Sequence, residues 1–298
     1  MRSRWKRKPL QVAYGCYSPA SLAGTLYIVS TPIGNLEDMS FRAVRILKEV
    51  SLIACEDTRV TQKLLNHFEI VTKSISYHAH STMEKTERLI ERLMNDEDIA
   101  LVSDAGTPLI SDPGSQLVSL AQAQQITVVP IPGASAILSA LVGSGLPLQR
   151  FHFLGFLPRS RKGQREILTT LTQLDASLVI YESPNRTEAT LKNCLEFLGD
   201  RQACIGRELT KKFETFEHGL VSELLKRLSF PLRGEIVLVL EPGRAETPTF
   251  TEDDILSSAQ EFVLSGTSTS DAAKGLMHLY GLKRKAAYNY ILQIKNQD

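Results

Sequence analysis

Leu101 to Gln116 reads LVSDAGTPLISDPGSQ, and it continues the apolar run Ile99-Ala100-Leu101-Val102. It holds two Ser-Asp-x-Gly units eight residues apart. An apolar strand running into Asp, Gly and Pro, with a helix opening beyond, describes a ligand loop at the carboxyl edge of an α/β sheet. The second unit reads as the helix start. Ser111 or Asp112 is the cap, Pro113 takes the first turn, and Leu117, Val118 and Leu120 carry the apolar pattern. The first unit has no such structural task, so Asp104-Ala105-Gly106-Thr107-Pro108 is where chemistry is expected.

Similar apolar runs lie on both sides: Leu26 to Ser30, Leu52 to Cys55, Thr127 to Ile131, Phe151 to Phe156, Leu178 to Tyr181, Ala203 to Gly206 and Glu235 to Leu240. Helical spacing separates them, as in Phe41, Val44, Ile46, Leu47 and Val50, in Leu89, Ile90, Leu93 and Met94, and in Ile167, Leu168, Leu171 and Leu174. Strand alternating with helix predicts an α/β fold with parallel sheets. Pro and Gly cluster between Pro132-Gly133 and Pro147, and Glu241 to Pro248 has linker composition. The expected organisation is a basic disordered extension over 1–23, two α/β domains over 24–135 and 136–243, and a small helical domain over 249–298. In the last, Ser270-Asp271 can cap a helix through Tyr280, Gly281 can end it, and Lys283 onward can begin another.

The chain has 298 residues, 43% of them apolar and 22% charged, which are ordinary globular values. No apolar run approaches the roughly 20 residues of a membrane span, and no membrane association is expected. Cys16, Cys55, Cys194 and Cys204 are scattered without a C-x-x-C pair, which predicts reduced cytoplasmic thiols and no metal site. The net charge of +1 conceals basic ends. Residues 1–8 carry Arg2, Arg4, Lys6, Arg7 and Lys8, and residues 267–298 are also net basic, so the centre is net acidic. A basic end can touch phosphate or simply be a solvated tail.

There is no G-x-G-x-x-G after a strand, no G-x-x-x-x-G-K-[ST] and no G-x-S-x-G elbow. What remains is a series of loops, each directly after a strand: Thr31 to Leu36, Glu56-Asp57-Thr58-Arg59, Asp104 to Pro108, Pro132 to Ala136, Tyr181 to Arg186 and Arg207 to Lys212. Each alone is an ordinary turn, and Glu-Asp-Thr-Arg reads equally as a helix cap with a surface ion pair. Gathered on one sheet edge they describe a ligand site.

These loops, within GTLYIVSTPIGNLEDMSFRAVRILKEVSLIACEDTR, LVSDAGTPLISDPG, PIPGASA, SGLP, FLGFLPR, YESPNR and RELTKKFE in this order, resemble the 16S ribosomal RNA cytidine 2′-O-methyltransferase family. That family belongs to the tetrapyrrole-methylase-like (class III) S-adenosylmethionine-dependent methyltransferases. The likeness runs from Gly24 to Glu241, and SDAAKGLMHLYGLKRKAAYNYIL resembles the family's small helix-turn-helix-like domain.

The resemblance implies two α/β domains with the S-adenosyl-L-methionine cofactor in the cleft between them. It assigns Pro32 and Gly34 to the cleft floor and Asp104, Ala105 and Gly106 to the place of the family's Gly-Asp-Pro loop. Ser135 and Ala136 match a second cofactor segment, and Tyr181, Glu182, Arg207 and Leu209 close over adenine and ribose. Glu56, Asp57 and Glu208 are the implied bases or orienting groups, with Arg59, Arg186, Arg207 and Lys211 as phosphate or oxyanion partners. Arg159, Arg161, Lys162 and Arg165, a basic stretch that reads as free of acids, and Lys283, Arg284 and Lys285 are the expected RNA contacts. A net acidic centre suits a substrate that is 16S rRNA already shaped in the 30S subunit. The family implies a homodimer. Two alternatives stay open, a tetrapyrrole C-methyltransferase and a non-catalytic ribosome-assembly factor.

Overall fold

The computed structural model describes residues 23–78, 81–243 and 251–296. Residues 1–22 with Cys16, and most of the expected linker before Pro248, lie outside the described residues. By their contacts, the described residues up to Pro242, without Gln173–Asp175, form one compact unit holding both sheets. Gln173–Asp175 and the residues from Gly243 onward form a second.

The first sheet contains β1 (Leu26–Val29), β2 (Leu52–Cys55), β3 (Ser74–Ser76), β4 (Ile99–Val102) and β5 (Val128–Ile131) in the order β3-β2-β4-β1-β5. Every pairing is parallel. Alternation along the strands separates two cores. Ile53, Cys55, Ala100 and Val102 meet Ala43, Ile46 and Leu47 of helix α1 (Phe41–Glu49) and Leu65 of α2 (Thr58–His67). Leu52, Ala54, Ile99 and Leu101 meet Leu89, Ile90 and Leu93 of α3 (Met83–Met94) and Leu117 and Ala121 of α4 (Ser115–Ala123). The connections leave β1 and β4 in opposite directions, so the crevice opens beyond these two strand ends. An isolated bridge between Thr31 and Gly106 closes its floor, with N–H···O bonds of 2.9 and 3.0 Å in both directions.

Helix α5 (Ala136–Ser144) leads to the second sheet: β6 (Phe151–Phe156), β7 (Ser177–Glu182), β8 (Gln202–Arg207), β9 (Thr215–Leu220) and β10 (Ile236–Leu240). Between these strands lie α6 (Arg161–Thr170), α7 (Thr187–Leu198) and α8 (Val221–Arg227). The strand order is β6-β7-β10-β8-β9. Ile137, Ala140 and Leu141 of α5 pack on Val179, Cys204, Val237 and Val239 of this sheet, so the chain from Ala136 onward packs against the second sheet.

This sheet is not parallel throughout, as the strand–helix alternation had suggested. Only β6 and β7 run parallel; β10 is antiparallel to both of its neighbours, and β9 to β8. Two strands escape the apolar pattern because they are edges. Ser74-Ile75-Ser76 is short and half polar, and Thr215 to Leu220 carries Glu217, His218 and Gly219.

The helix start read at Ser111–Pro113 is also corrected. Leu109 and Ser111 have φ of 76° and 65°, whereas a cap residue needs an extended backbone. The chain is therefore still turning there, and α4 begins at Ser115 after Gly114 (φ 126°) without a side-chain cap.

The second unit contains α9 (Glu252–Leu264), α10 (Thr269–Tyr280) and α11 (Arg284–Lys295) around Ala259, Ala272, Ala273, Leu276, Ala287 and Ile291. The cap of α10 is Ser268, two residues before the expected one; its hydroxyl accepts the Asp271 N–H. Gly281 ends that helix at φ 64°, where a left-handed residue is needed. No helix among the described residues is long and apolar enough to cross a membrane. Cys55, Cys194 and Cys204 are free and buried.

Candidate active site

A cavity of about 450 Å³ lies within the first unit where the crevice of the first sheet meets the second sheet. Ile33, Leu209, Ile236, Val237 and Phe156 supply apolar wall. Ala105, Gly106, Ser135, Ala136, Tyr181 and Glu182 line it as well. Gly106 has φ 81°, a conformation that costs other residues roughly 1–2 kcal/mol, and lets bare backbone face the cavity. Ser135 caps α5, its side chain accepting the Leu138 N–H, and brings Ser135 and Ala136 to the wall. Phe156 is aimed by a bulge in β6 between Phe153 and Gly155.

Strand alternation sorts the remaining candidates. Tyr181, Val237 and Gly206 stand opposite one another in the ladder, and so do Glu182, Ile236 and Arg207. Tyr181 packs edge-on against Phe153 at 4.9 Å between ring centroids. Burial, reinforced by Asp112, pushes its phenol up to about 12 even though the Ile137 N–H opposes the shift. Glu182 lines the cavity too, but its carboxylate is engaged elsewhere: Thr190 donates to it at 2.6 Å and the Ser183 N–H at 2.8 Å. Its carboxylate is therefore not offered to a ribose. Arg207 is also corrected: its guanidinium donates to Thr215 and to the Arg233 carbonyl beside a separate cleft.

Pro32, Gly34 and Asp104 are not on the cavity wall; Ile33 represents its loop there. Asp104 instead accepts the Asp57 N–H at 3.1 Å, tying the end of β4 to that of β2. Gly34 lies under the Lys211 stem, where an added Cβ would come within 2.3 Å of Cγ.

None of Glu56, Asp57, Arg59, Glu208 and Lys211 lines the cavity. Asp57 caps α2 and pairs with exposed Arg59 at 2.6 Å, and hydrogen bonds from Arg59 hold its carboxyl at about 2. Glu208 accepts the Glu235 N–H at 2.9 Å and a bond from Lys211 at 3.0 Å, which together lower its carboxyl. Lys211 Nζ also meets Glu235 at 3.0 Å. Burial works against the ammonium, but the two carboxylates outweigh it and raise the lysine. Glu56 is the carboxylate pushed up, by burial first and then by Asp104, Asp112 and Asp57.

The sequence reading missed Asp112, Glu235 and Ser183-Pro184 as wall residues. Asp112 is half buried and raised, by burial and by Asp104 against a hydrogen bond from Ser103. Its signal was present, because the second Ser-Asp-x-Gly repeats the first. Gly234 and Glu235 precede a strand and Ile236 and Val237 open it, so they escape a rule that looks after strands. They reach the cavity because an antiparallel strand begins at the edge where its neighbour β7 ends.

Gly234 has φ 85°, and a Cβ there would fall 2.4 Å from the Glu208 carboxyl carbon. Gly234→Ala is expected to destabilise the protein by about 2–3 kcal/mol, or roughly 5–10 °C in Tm by calorimetry. An unchanged Tm would show that the Glu208 loop yields freely.

Arg161, one of the expected RNA contacts, is partly engaged. It pairs with Glu196 at 2.5 Å and lies over the Phe197 ring. Lys162 is 3.9 Å from Glu166, so the stretch that reads as free of acids acquires two of them in space. Arg159 and Arg165 are exposed. Lys283, Arg284 and Lys285 are exposed at the N-terminus of α11, and no acidic residue occupies its first turn. Cations oppose the helix dipole there, so they do not serve the helix.

The family model of the tetrapyrrole (corrin/porphyrin) methylases matches residues 25–225. Ribosomal RNA small subunit methyltransferase I of Halalkalibacterium halodurans is 45% identical over 271 residues, spanning 89% of this chain and 94% of that protein. The protein of the same name from Synechocystis is 42% identical over 275 residues, 91% and 99% of the two chains. Among solved structures, a diphthine synthase aligns over 73% of this chain and 90% of its own with a TM-score of 0.55 and 19% identity. Uroporphyrin-III C-methyltransferase of Thermus thermophilus, complexed with S-adenosylhomocysteine, aligns over 73% and 97% with a TM-score of 0.51 and 18% identity. At such identities these structures share the fold. The cavity at the switch of the first sheet, the family match and the level of identity together place this chain in the tetrapyrrole methylase family, among the ribosomal RNA small subunit methyltransferases I.

Proposed function

We propose that this chain is an S-adenosylmethionine-dependent methyltransferase acting on the ribose 2′-oxygen of a cytidine in 16S ribosomal RNA, within the assembled 30S subunit. We further propose that it works in the cytoplasm as a homodimer. The observation that carries the reading is the cavity, whose wall matches the parts of the cofactor. Ile33, Leu209 and Val237 provide apolar surface for adenine. The positive end of α5 at Ser135 and Ala136 suits a carboxylate, and Asp112 supplies negative charge for a sulfonium and an ammonium.

Bound there, the cofactor supplies an electrophilic methyl group. The chain's own residues have two tasks, alignment and removal of the ribose proton. Alignment is worth roughly 7–11 kcal/mol, whereas a general base contributes about 10²–10⁴-fold. Rigid wall residues therefore matter most. Tyr181, kept neutral by its raised pKa, serves as packed wall and not as a base. Of the three carboxylates named as bases, Asp57 and Glu208 are held ionised by their partners and are weak acceptors. Glu56 is raised by its surroundings but stands off the cavity wall, so none of the three is assigned the proton and alignment carries the reaction. Arg159, Lys162, Arg165 and Lys283 to Lys285 offer cations to RNA phosphates.

The test is transfer from methyl-tritiated S-adenosylmethionine to unmethylated 30S subunits, followed by nucleoside analysis. Label on a cytidine 2′-oxygen is expected, faster on 30S particles than on free 16S RNA. Label only on a porphyrinoid, or binding without transfer, would overturn the reading.

A further inference from the structure

Glu182 is a carboxylate with no exposed side-chain surface, held in a ring of polar groups. Thr190 donates to one of its oxygens at 2.6 Å, and Arg186 Nε stands 3.3 Å from the other. The Arg186 guanidinium reaches on to the carbonyls of Leu157 at 2.7 Å and Pro158 at 3.1 Å. Gln164 donates to the same Pro158 carbonyl at 2.9 Å and to Thr190, and it accepts from Asn193 at 2.7 Å. Gln164, Thr190 and Asn193 are all buried.

Buried ions and amides do not by themselves favour a fold over apolar side chains of the same size. Their use has to be sought in what they hold. On one side they hold Leu157-Pro158, directly after Phe156 of the cavity wall and directly before the exposed basic turn that begins at Arg159. On the other they hold the Ser183 N–H, beside Pro184 on the same wall. The end of β6 needs such an anchor. It is an edge strand, paired only with β7, and its register slips at the bulge before Phe156. One interrupted ladder leaves its end free to rotate, whereas a planar guanidinium set by Nε against Glu182, with Nη2 on two successive carbonyls, does not.

We infer that Glu182 and Arg186 are positioning residues that fix the basic turn at Arg159 in register with the methyl-donor cavity, so that an RNA gripped by the turn presents its ribose to that cavity. The inference rests on the proposed rRNA substrate. Neither side chain contacts a reacting atom. Both act through the Leu157-Pro158 backbone, and a displacement of about 1 Å there is enough to cost up to 100-fold in rate.

Arg186→Lys keeps a cation but has one nitrogen where the guanidinium uses two, Nε toward Glu182 and Nη2 toward both carbonyls, so it cannot hold both sides at once. It is expected to raise KM for 30S subunits about tenfold, with the dissociation constant of S-adenosylmethionine within twofold of the parent. Glu182→Gln, which frees Arg186 from its counter-charge, should act in the same direction. In a background where Arg159, Lys162 and Arg165 are alanine, Arg186→Lys should have less than a threefold further effect, because there is no longer a grip to align. An unchanged KM overturns the inference. So does a KM effect of the same size in both backgrounds, or a parallel loss of cofactor affinity, since an ordinary packing role predicts those. A parent protein that binds S-adenosylmethionine yet methylates no ribosomal RNA overturns the function and this inference together. A parent that methylates it, with Arg186→Lys indistinguishable, overturns this inference alone.

Discussion

Gly106→Val is expected to lower affinity for S-adenosylmethionine at least about 100-fold, equivalent to roughly 2.7 kcal/mol. Three effects add. The residue sits at φ 81°, a conformation that a β-branched side chain adopts only under strain. A Cβ there already meets Ile33 Cγ2 at 3.3 Å, and the methyls beyond it crowd the wall that both residues form. Relief by backbone movement would break the paired bonds to Thr31 that close the crevice floor. Isothermal titration calorimetry measures the loss, and Gly106→Ala should fall between the parent and the valine variant. An affinity within threefold of the parent would remove this loop from the site.

Asp112→Asn is expected to weaken the same binding by about 10–100-fold without weakening the fold. A carboxylate a few ångströms from a cation contributes on the order of 1–3 kcal/mol at the edge of a protein cavity, and the amide cannot replace that charge. The stability effect has the opposite sign. The carboxyl is raised by burial and by Asp104, so the folded state holds its proton more tightly than the unfolded chain does. Its contribution to stability is present at low pH and is lost as pH rises through the folded-state pKa. At neutral pH the cofactor-free asparagine variant should therefore melt no lower than the parent. Cofactor affinity of the parent should fall as pH drops through that raised pKa. The asparagine variant should show a shallower pH profile. A steep profile in the variant, or a lower Tm at neutral pH, would show that the charge of Asp112 does not serve the cation.

Much of this was legible because the signals were local. Apolar runs such as Leu52 to Cys55 and Ile99 to Val102 are strands because they are buried on both faces. Gly281 ends its helix because a left-handed residue was needed next to the last turn. Loops that follow parallel strands of one sheet reach one edge whatever the details, which is why Ala105, Gly106, Ser135 and Ala136 share a wall.

The failures have a common cause in pairing. Arg207 ends an apolar strand, as Tyr181 nearly does, yet it is not on the cavity wall, and Glu182 lines that wall with its carboxylate already spent on Thr190 and the Ser183 N–H. A residue's face depends on strand register, and register depends on which partner lies alongside. Gly234 to Val237 entered the site because β10 runs antiparallel between β7 and β8, a choice that no pattern within Ile236–Leu240 encodes. Asp112 looked like part of a helix start, since Ser-Asp-Pro is ordinary cap chemistry. The long turn from Ser103 to Gly114, with Leu109 and Ser111 in left-handed backbone, carried it to the wall instead.

Local pattern alone settled the central strands, most of the helices and the family to which the chain belongs, while the edge strands β3 and β9 escaped it. Each of these depends on neighbours within a few residues or on ordered motifs along the chain. Tertiary structure decided which carboxylate faces a cofactor, which is spent on a cap or an ion pair and which is buried in a polar ring. A side chain's charge is written in the sequence, but its partners, such as Thr190 and Arg186 for Glu182 or Glu208 and Glu235 for Lys211, are assembled only when distant strands take their register.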